Sequence, residues 1–188
     1  MRRHLFLTGP IGCGKSTYVL AALGENIFRA GGFLTLRRRT ESGKPADFVL
    51  MTPDGQEKAV FLDLTGDTPQ LHMDVFSGLG AKILRRAGHS PFLLLDEIGG
   101  IELLCPEFME ALDRVLDSPI PILGVIKGEG PAGALVQALG LSREYEEAAR
   151  CLRARLQADP DTCVYPCGQF DKTALALTKR WVKEYLHE

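Results

Sequence analysis

The feature that most constrains this chain is a glycine-rich segment near its start, Gly9–Ser16, which reads G-P-I-G-C-G-K-S. It follows a short apolar run, His4–Thr8, that predicts a buried strand. It leads into Lys15–Leu23, whose residues favour a helix that ends at Gly24. Glycines permit backbone angles at which successive N–H groups turn toward one anion, and the first turn of a helix adds its positive end. The pattern G-x-x-x-x-G-K-S therefore predicts a strand, a phosphate-binding loop and a helix in that order.

The side chains of this Walker A pattern have distinct chemical roles. Lys15 is expected to reach the β- and γ-phosphates of a nucleotide, and the hydroxyl of Ser16 is expected to ligate Mg²⁺. The predicted nucleotide contacts are the residues of the loop and the first helical positions, namely Gly9, Pro10, Ile11, Gly12, Cys13, Gly14, Lys15, Ser16 and Thr17.

A second motif is an apolar run that ends in two acids, Phe92–Leu95 followed by Asp96 and Glu97. Continuous apolar runs are typical of central parallel strands, which are buried on both faces. Adjacent strand residues point to opposite sides, so the two acids need not share one task. We expect Asp96 to hold the Mg²⁺ shell, and Glu97, just past the strand end, to accept a proton from a water near the γ-phosphate or to orient that water.

The remaining segments alternate between strand-like and helix-like patterns, which predicts an α/β fold with a mostly parallel sheet and helices on both faces. We expect a single domain over residues 1–188. Trp181, on the last predicted helix, is expected in the core. The other predicted elements are strand-like Ile27–Arg39 with a turn or bulge at Gly31–Gly32, a hairpin of Ala46–Met51 and Ala59–Leu64, helix Met73–Arg86, helix Glu107–Leu116, strand Pro121–Ile126, helix Ser142–Leu156, strand Thr162–Tyr165 and helix Asp171–Leu186.

Composition excludes several classes of protein. Apolar residues make up 45% and charged residues 24% of the 188, and 22 basic against 24 acidic side chains give a net charge of −2. A nucleic-acid coat would need a strong basic excess, so nucleic acid is not an expected partner. Apolar runs of about five residues are too short for a membrane span, and too short for a secretion signal after Arg2-Arg3. We therefore expect a cytoplasmic protein with reduced cysteines, as a monomer or weak oligomer.

Three segments together resemble the nucleoside-triphosphatase family of the thermophile and cancer-related type: Gly9–Thr17, Gly32–Thr35 and Asp96–Leu103. That family carries a Walker A loop, a GF-x-T segment and a DEIGKMEL Walker B segment in this order and at similar spacing. The likeness extends over about residues 1–130. It implies a three-layer P-loop fold of the RecA- and ABC-like type with an additional strand. It also implies Mg²⁺-dependent hydrolysis of ATP, GTP and other nucleoside triphosphates to the diphosphate and phosphate, with loose base selectivity.

The chain departs from the family pattern at several positions. Gly100-Ile101 stands where the family has Lys-Met. The family's GF-x-T segment continues as x-E-x-R; here Arg37 replaces its Glu, whereas Arg39 keeps its Arg. Gln169–Asp171 stands where an Asn-Arg-Asp segment is expected. Arg39 is therefore the candidate arginine for neutralising transition-state charge, and the alternative is a solvated strand end.

Weaker signals leave alternatives open. Lys127, after a buried strand, either contacts the γ-phosphate or is a surface lysine, and Glu102 is either a partner of Glu97 or another base. Cys163 and Cys167 could contribute to a zinc site, but packing thiols are favoured because two more ligands are needed. Cys13, at a helix N-terminus, either reacts with alkylating reagents and is protected by nucleotide, or is an unreactive loop thiol.

Two other functions remain compatible with the sequence. A nucleoside or nucleotide kinase would need an acceptor pocket and a lid. The basic segment with Arg143, Arg150, Arg153 and Arg155 could form such a lid or simply one face of a helix. A non-catalytic nucleotide-binding switch would not depend on Glu97. No NKxD segment is present, which disfavours a dedicated GTPase.

Overall fold

The computed structural model describes residues 1–128, 140 and 143–186. Within them the strands are β1 His4–Thr8, β2 Gly31–Arg39, β3 Pro45–Met51, β4 Lys58–Asp63, β5 Gln70–Leu71, β6 Leu93–Ile98, β7 Ile122–Ile126 and β8 Thr162–Pro166. The α-helices are α1 Lys15–Leu23, α2 Ala81–Arg86, α3 Pro106–Leu116, α4 Arg143–Ala158 and α5 Lys172–Tyr185. No helix in these ranges is both long enough and apolar enough to span a bilayer.

The described strands form one sheet in the order β5-β4-β3-β2-β6-β7-β1-β8. The strands β2, β6, β7, β1 and β8 run parallel to their neighbours. On the other side of β2, the strands β3, β4 and β5 are added antiparallel. This confirms the predicted α/β class, the mostly parallel sheet and the hairpin of β3 and β4.

The sheet is covered by helices on both faces. Leu93 and Leu95 of β6 pack in the core beneath α2, α3 and α4, whereas Leu94 packs in the core beneath α1 and α5. This alternation explains why the strand reads as a continuous apolar run. Trp181 of α5 is fully buried against Phe92, as expected of a core residue.

Two segments depart from the predicted secondary structure. The strand-like region before β2 begins instead with a 3₁₀ turn, Gly24–Arg29, so the strand starts only at Gly31. The predicted helix Met73–Arg86 is divided between a π-helical turn, Phe76–Gly80, and the short helix α2. The predicted start of α4 at Ser142 lies outside the described residues.

Several of the candidate site residues lie at one edge of the sheet. Parallel strands place their carboxyl ends together, and here these ends carry the glycine-rich loop after β1, the two acids of β6, Lys127 after β7 and Cys167 after β8. Strand β2 pairs with β6 up to Asp96 and then continues to Arg39, so the β2–β3 hairpin projects beyond the same edge.

Candidate active site

The loop between β1 and α1 has the backbone conformation that its glycines predict. Gly12 has a φ of 77° and Gly14 a φ of 101°, both in the region that L-residues avoid. Helix α1 starts at once, because the Tyr18 N–H donates to the Gly14 carbonyl at 2.9 Å. A side chain at Gly9 would place its Cβ 2.2 Å from the Cys167 carbonyl oxygen, so only glycine fits there.

Lys15 lies within this loop and is nearly buried, with 7% of its surface exposed. Its ammonium donates to the carbonyl oxygens of Gly9 and Pro10, at 3.0 and 3.1 Å. It also lies 3.8 Å from Oε1 of Glu97. The loop therefore holds a positive charge at its centre, next to a carboxylate from the neighbouring part of the sheet.

Ser16 and Asp96, the two predicted Mg²⁺ ligands, are in direct contact. The Ser16 hydroxyl donates to Oδ1 of Asp96 at 2.8 Å. Burial raises the pKa of Asp96 to about 6, although the Ser16 hydrogen bond opposes this shift; the charge of Glu97 adds to it. A buried carboxylate that is costly to ionise, next to a hydroxyl oxygen, is a donor set that suits a hard cation such as Mg²⁺.

Glu97 does not lie just past the strand end, where the sequence pattern predicted it. It lies inside β6 rather than after it, and the pairing with β7 shifts between Asp96 and Ile98. This bulge interrupts the alternation, because Asp96 pairs with Val125 and Ile98 with Ile126 while Glu97 is the extra residue. Both acids therefore contact the phosphate loop, Asp96 through Ser16 and Glu97 near Lys15.

The turn that follows Glu97 is held by three hydrogen bonds. Glu102 accepts from the Gly100 N–H at 2.7 Å, and the Tyr145 hydroxyl donates to the Gly99 carbonyl at 2.8 Å. The Lys127 N–H donates to the Ile98 carbonyl at 2.8 Å. Burial raises the pKa of Glu102, and the nearby Lys127 charge opposes that shift. In this structure Glu102 therefore supports the turn.

Sequence reasoning did not identify Tyr145 as part of this site. Its only signal was a place on the inward face of a predicted helix, which indicates packing as readily as a hydrogen bond. Burial, together with the charge of Glu102, raises the pKa of Tyr145 to about 12. The hydroxyl therefore stays a donor to Gly99 at neutral pH.

The other candidate residues lie in three places: on the β2–β3 hairpin, after β7 and on α4. Arg39 is near the hairpin turn and donates to the Gly43 carbonyl at 2.6 Å, and its catalytic role stays a prediction. Lys127 lies beside Glu102, close to Gly100. In the basic segment, Arg150 pairs with Glu147, and Arg155 donates to Asp117, just after the end of α3, at 2.9 Å. These ion pairs are typical of a helix face.

The structure brings together a different set of cysteines from the Cys163 and Cys167 considered for zinc. Cys167 lies against Cys13, with 3.7 Å between the two sulfur atoms, and both side chains are buried. Cys163 is half-buried on β8. Within residues 1–128 and 143–186, no three His, Cys, Asp or Glu side chains converge as a metal site.

Comparisons with known proteins identify the family of this chain. The NTPase family model matches residues 4–148. A mouse protein called "Cancer-related nucleoside-triphosphatase homolog" is 32% identical over 169 residues, which cover 78% of this chain and 87% of the mouse chain. "Nucleoside-triphosphatase THEP1" of Thermotoga sp. strain RQ2 is 30% identical over 132 residues, or 65% of this chain and 73% of the relative.

The fold has a counterpart among solved structures. The crystal structure of THEP1 from the hyperthermophile Aquifex aeolicus superposes with a TM-score of 0.67 at 18% identity, covering 97% of this chain and 98% of that one. At this identity the likeness concerns the fold, which is that of a P-loop NTPase. Taken with the family match, it shows that this chain is a divergent member of the NTPase family and a nucleoside-triphosphatase.

Proposed function

We propose that this chain hydrolyses Mg²⁺-bound ATP, GTP and other nucleoside triphosphates to the diphosphate and phosphate. The observation that carries the proposal is the distance of 3.8 Å between the Lys15 ammonium and the Glu97 carboxylate. This proximity supports a single site in which Lys15 would bind the phosphates and Glu97 would orient the water. The names of the relatives support nucleoside triphosphates as the substrate class.

The loop and Lys15 would bind the triphosphate. The backbone N–H groups around Gly12 and Gly14 are already fixed, so they need no reorganisation when negative charge develops. Lys15 would leave the carbonyls of Gly9 and Pro10 for the β- and γ-phosphates, and would stabilise charge on the oxygen between them.

Ser16 and Asp96 fit Mg²⁺, as their contact and the burial of the carboxylate indicate. When bound, Mg²⁺ neutralises charge on the phosphate oxygens. Asp96 would hold the cation through its carboxylate, and the Ser16 hydroxyl would supply an oxygen ligand in place of its present hydrogen bond.

Glu97 would act on the attacking water. Its side chain is 29% exposed, so a water can reach it while the carboxylate stays near Lys15. It would accept a hydrogen bond from the water and direct the oxygen in line with the γ-phosphorus. As the new P–O bond forms, the bond to the β-phosphate oxygen breaks, and Glu97 accepts the proton. Tyr145 and Glu102 would keep the turn after Glu97 in place.

A phosphate-release assay with ATP, GTP, CTP and UTP in Mg²⁺ tests the proposal. Glu97→Gln should lower release by about 100-fold or more while nucleotide affinity stays within about twofold. Glu110→Gln, at an exposed acid of α3 that pairs with Arg114, is the matched control and should be neutral. If Glu97→Gln hydrolyses ATP at the wild-type rate, the assignment of the water-orienting residue is wrong.

The same assay tests two further assignments. Lys15→Ala should weaken triphosphate binding. Arg39→Ala should lower hydrolysis if Arg39 neutralises transition-state charge, whereas Arg38→Ala should not, because Arg38 forms an ion pair with Asp47 on the hairpin.

One observation favours a phosphotransferase as the second candidate. A cavity of about 80 Å³ lies next to Glu97, lined on its apolar side by residues that include Phe33, Phe48, Phe61 and Phe76. A small acceptor bound there could present a hydroxyl to Glu97 in place of water. Phosphate release in the absence of any acceptor favours the hydrolase, and release that requires an acceptor favours the transferase. A binding-only switch would release no phosphate in either case.

A further inference from the structure

Phe170 is the most exposed large apolar side chain of the described residues, at 92%. It lies in the segment Cys167–Asp171, between β8 and α5, and has a φ of 53°. A non-glycine residue in this left-handed region is uncommon and costs free energy. Such an exposed, unfavourable position calls for an explanation other than core packing.

The segment that carries Phe170 is firmly attached beside the phosphate loop. At its start, the Cys167 N–H donates to the Thr8 carbonyl at 2.8 Å, and the Cys167 sulfur lies 3.7 Å from that of Cys13. At its end, the Asp171 N–H donates to the Tyr18 hydroxyl of α1 at 2.9 Å. The Asp171 carboxylate also caps α5 by accepting from the Ala174 N–H. Phe170 is therefore exposed on a segment whose two ends are fixed.

The order of the strands sets the direction in which a bound nucleotide must extend. Asp96 and Glu97 lie on β6, two strands from β1, and they mark the γ-phosphate end of the site. The loop after β1 would hold the phosphates between β6 and β8. The nucleoside end must then leave on the opposite side, toward β8 and the segment with Phe170.

We propose that Phe170 is the stacking platform for the nucleobase. This inference rests on the proposed function and names how its site takes the base. An aromatic ring stacks on any base, since every base has a π-face, so the contact supplies affinity with little base selectivity. That chemistry suits a site that accepts ATP, GTP and pyrimidine nucleotides alike.

Binding measurements with Mg²⁺ present, on ATP, GTP and inorganic tripolyphosphate, test the stacking role. Tripolyphosphate has the charged chain but no base. Phe170→Ala should weaken the binding of ATP and GTP by about 5- to 20-fold and leave the affinity for tripolyphosphate unchanged. Phe170→Trp should keep the affinity for both nucleotides, and its added indole fluorescence should be quenched by ATP but not by tripolyphosphate.

The matched control is Phe28→Ala. Phe28 is 69% exposed, but it lies between the end of α1 and the start of β2, at the opposite edge of the sheet, and its loss should affect no ligand. The inference is overturned if Phe170→Ala binds ATP as tightly as the wild type, or if its affinities for ATP and tripolyphosphate fall by the same factor. If the wild-type chain binds neither ATP nor tripolyphosphate, the proposed function fails, and the stacking role fails with it.

Discussion

The hydroxyl of Ser16 donates to the carboxylate of Asp96 at 2.8 Å, across 80 residues of chain. This hydrogen bond joins the helix that follows the glycine-rich loop to the strand that carries both acids. It brings together two oxygen atoms of the kind that a hard cation prefers. The first prediction tests this pair.

Asp96→Asn should raise the Mg²⁺ concentration needed for half-maximal hydrolysis by about 10-fold or more and lower the maximal rate by about 100-fold, because the charge that faces the cation is gone. The amide oxygen can still accept from Ser16, so the fold should persist. Magnesium titrations of phosphate release measure both effects. Asp117→Asn, at an exposed acid that forms an ion pair with Arg155, is the control. An unchanged Mg²⁺ dependence in Asp96→Asn would exclude the cation role.

Tyr145→Phe removes the donor to the Gly99 carbonyl. We expect a loss of about 1 kcal/mol of unfolding free energy and a fall in kcat of about 10-fold, with nucleotide Kd unchanged, because the turn that positions Glu97 loosens. Chemical denaturation and steady-state kinetics measure the two effects.

Tyr185→Phe is the matched control for Tyr145→Phe. The Tyr185 hydroxyl also donates to a main-chain carbonyl, that of Met1 at 2.9 Å, but at the other edge of the sheet. The Tyr185→Phe variant should lose a similar amount of unfolding free energy and keep its kcat. An equal fall in kcat in both variants would show that Tyr145 contributes stability alone.

His4 makes stability depend on pH. It is 1% exposed, and neither ring nitrogen has a hydrogen-bond partner within the described structure. Burial lowers its pKa, Arg3 lowers it further, and Asp159 and Asp161 oppose the shift. The unfolded chain therefore takes up the proton first, near the ordinary value of 6.5. The contribution of the neutral His4 to the unfolding free energy should be fully present above that pH. It should decrease as the pH falls toward the lower pKa of the folded state.

Denaturation of wild type and His4→Leu at pH 7.5 and pH 5 checks this dependence. The wild type should lose more unfolding free energy between the two values than the variant does. Equal losses would show that the acid sensitivity comes from other groups.

Bound nucleotide should slow alkylation of Cys13. The thiol is only 3% exposed, so a reagent reaches it when the loop opens, and phosphates held by the same loop oppose that opening. Peptide mass spectrometry with and without Mg²⁺ and nucleotide measures the rate. Cys151 is exposed on α4 and serves as the internal control. Identical Cys13 rates in both conditions would count against the prediction.

The sequence was sufficient to predict an element wherever a local pattern determines that element's structure. The predicted bounds of β1 and α1 match the observed His4–Thr8 and Lys15–Leu23, because glycines mark the ends of an apolar run and of a helix-favouring run. The contact between Ser16 and Asp96 also follows from two motifs at the carboxyl ends of parallel strands.

The rest depends on contacts between distant segments. Sequence alone does not show that the pairing of β6 with β7 shifts at Glu97, so this residue, predicted just past the strand end, lies within the strand instead. The two-residue strand Gln70–Leu71 is too short to leave a pattern. The approach of Cys13 to Cys167 arises only when β8 lies beside β1.

The extra residue in β6 suggests how cation binding and water activation could be separated by redesign. Deleting Ile98 would bring Glu97 opposite Ile126 and restore a regular pleat, in which neighbouring acids point to opposite faces of the sheet. A shortened strand that keeps its aspartate toward the loop would turn the glutamate away, leaving a protein that captures nucleotide and releases it uncleaved. On the roles proposed for Asp96 and Glu97, the difference between hydrolysing a nucleotide and only binding it would then amount to a single peptide unit.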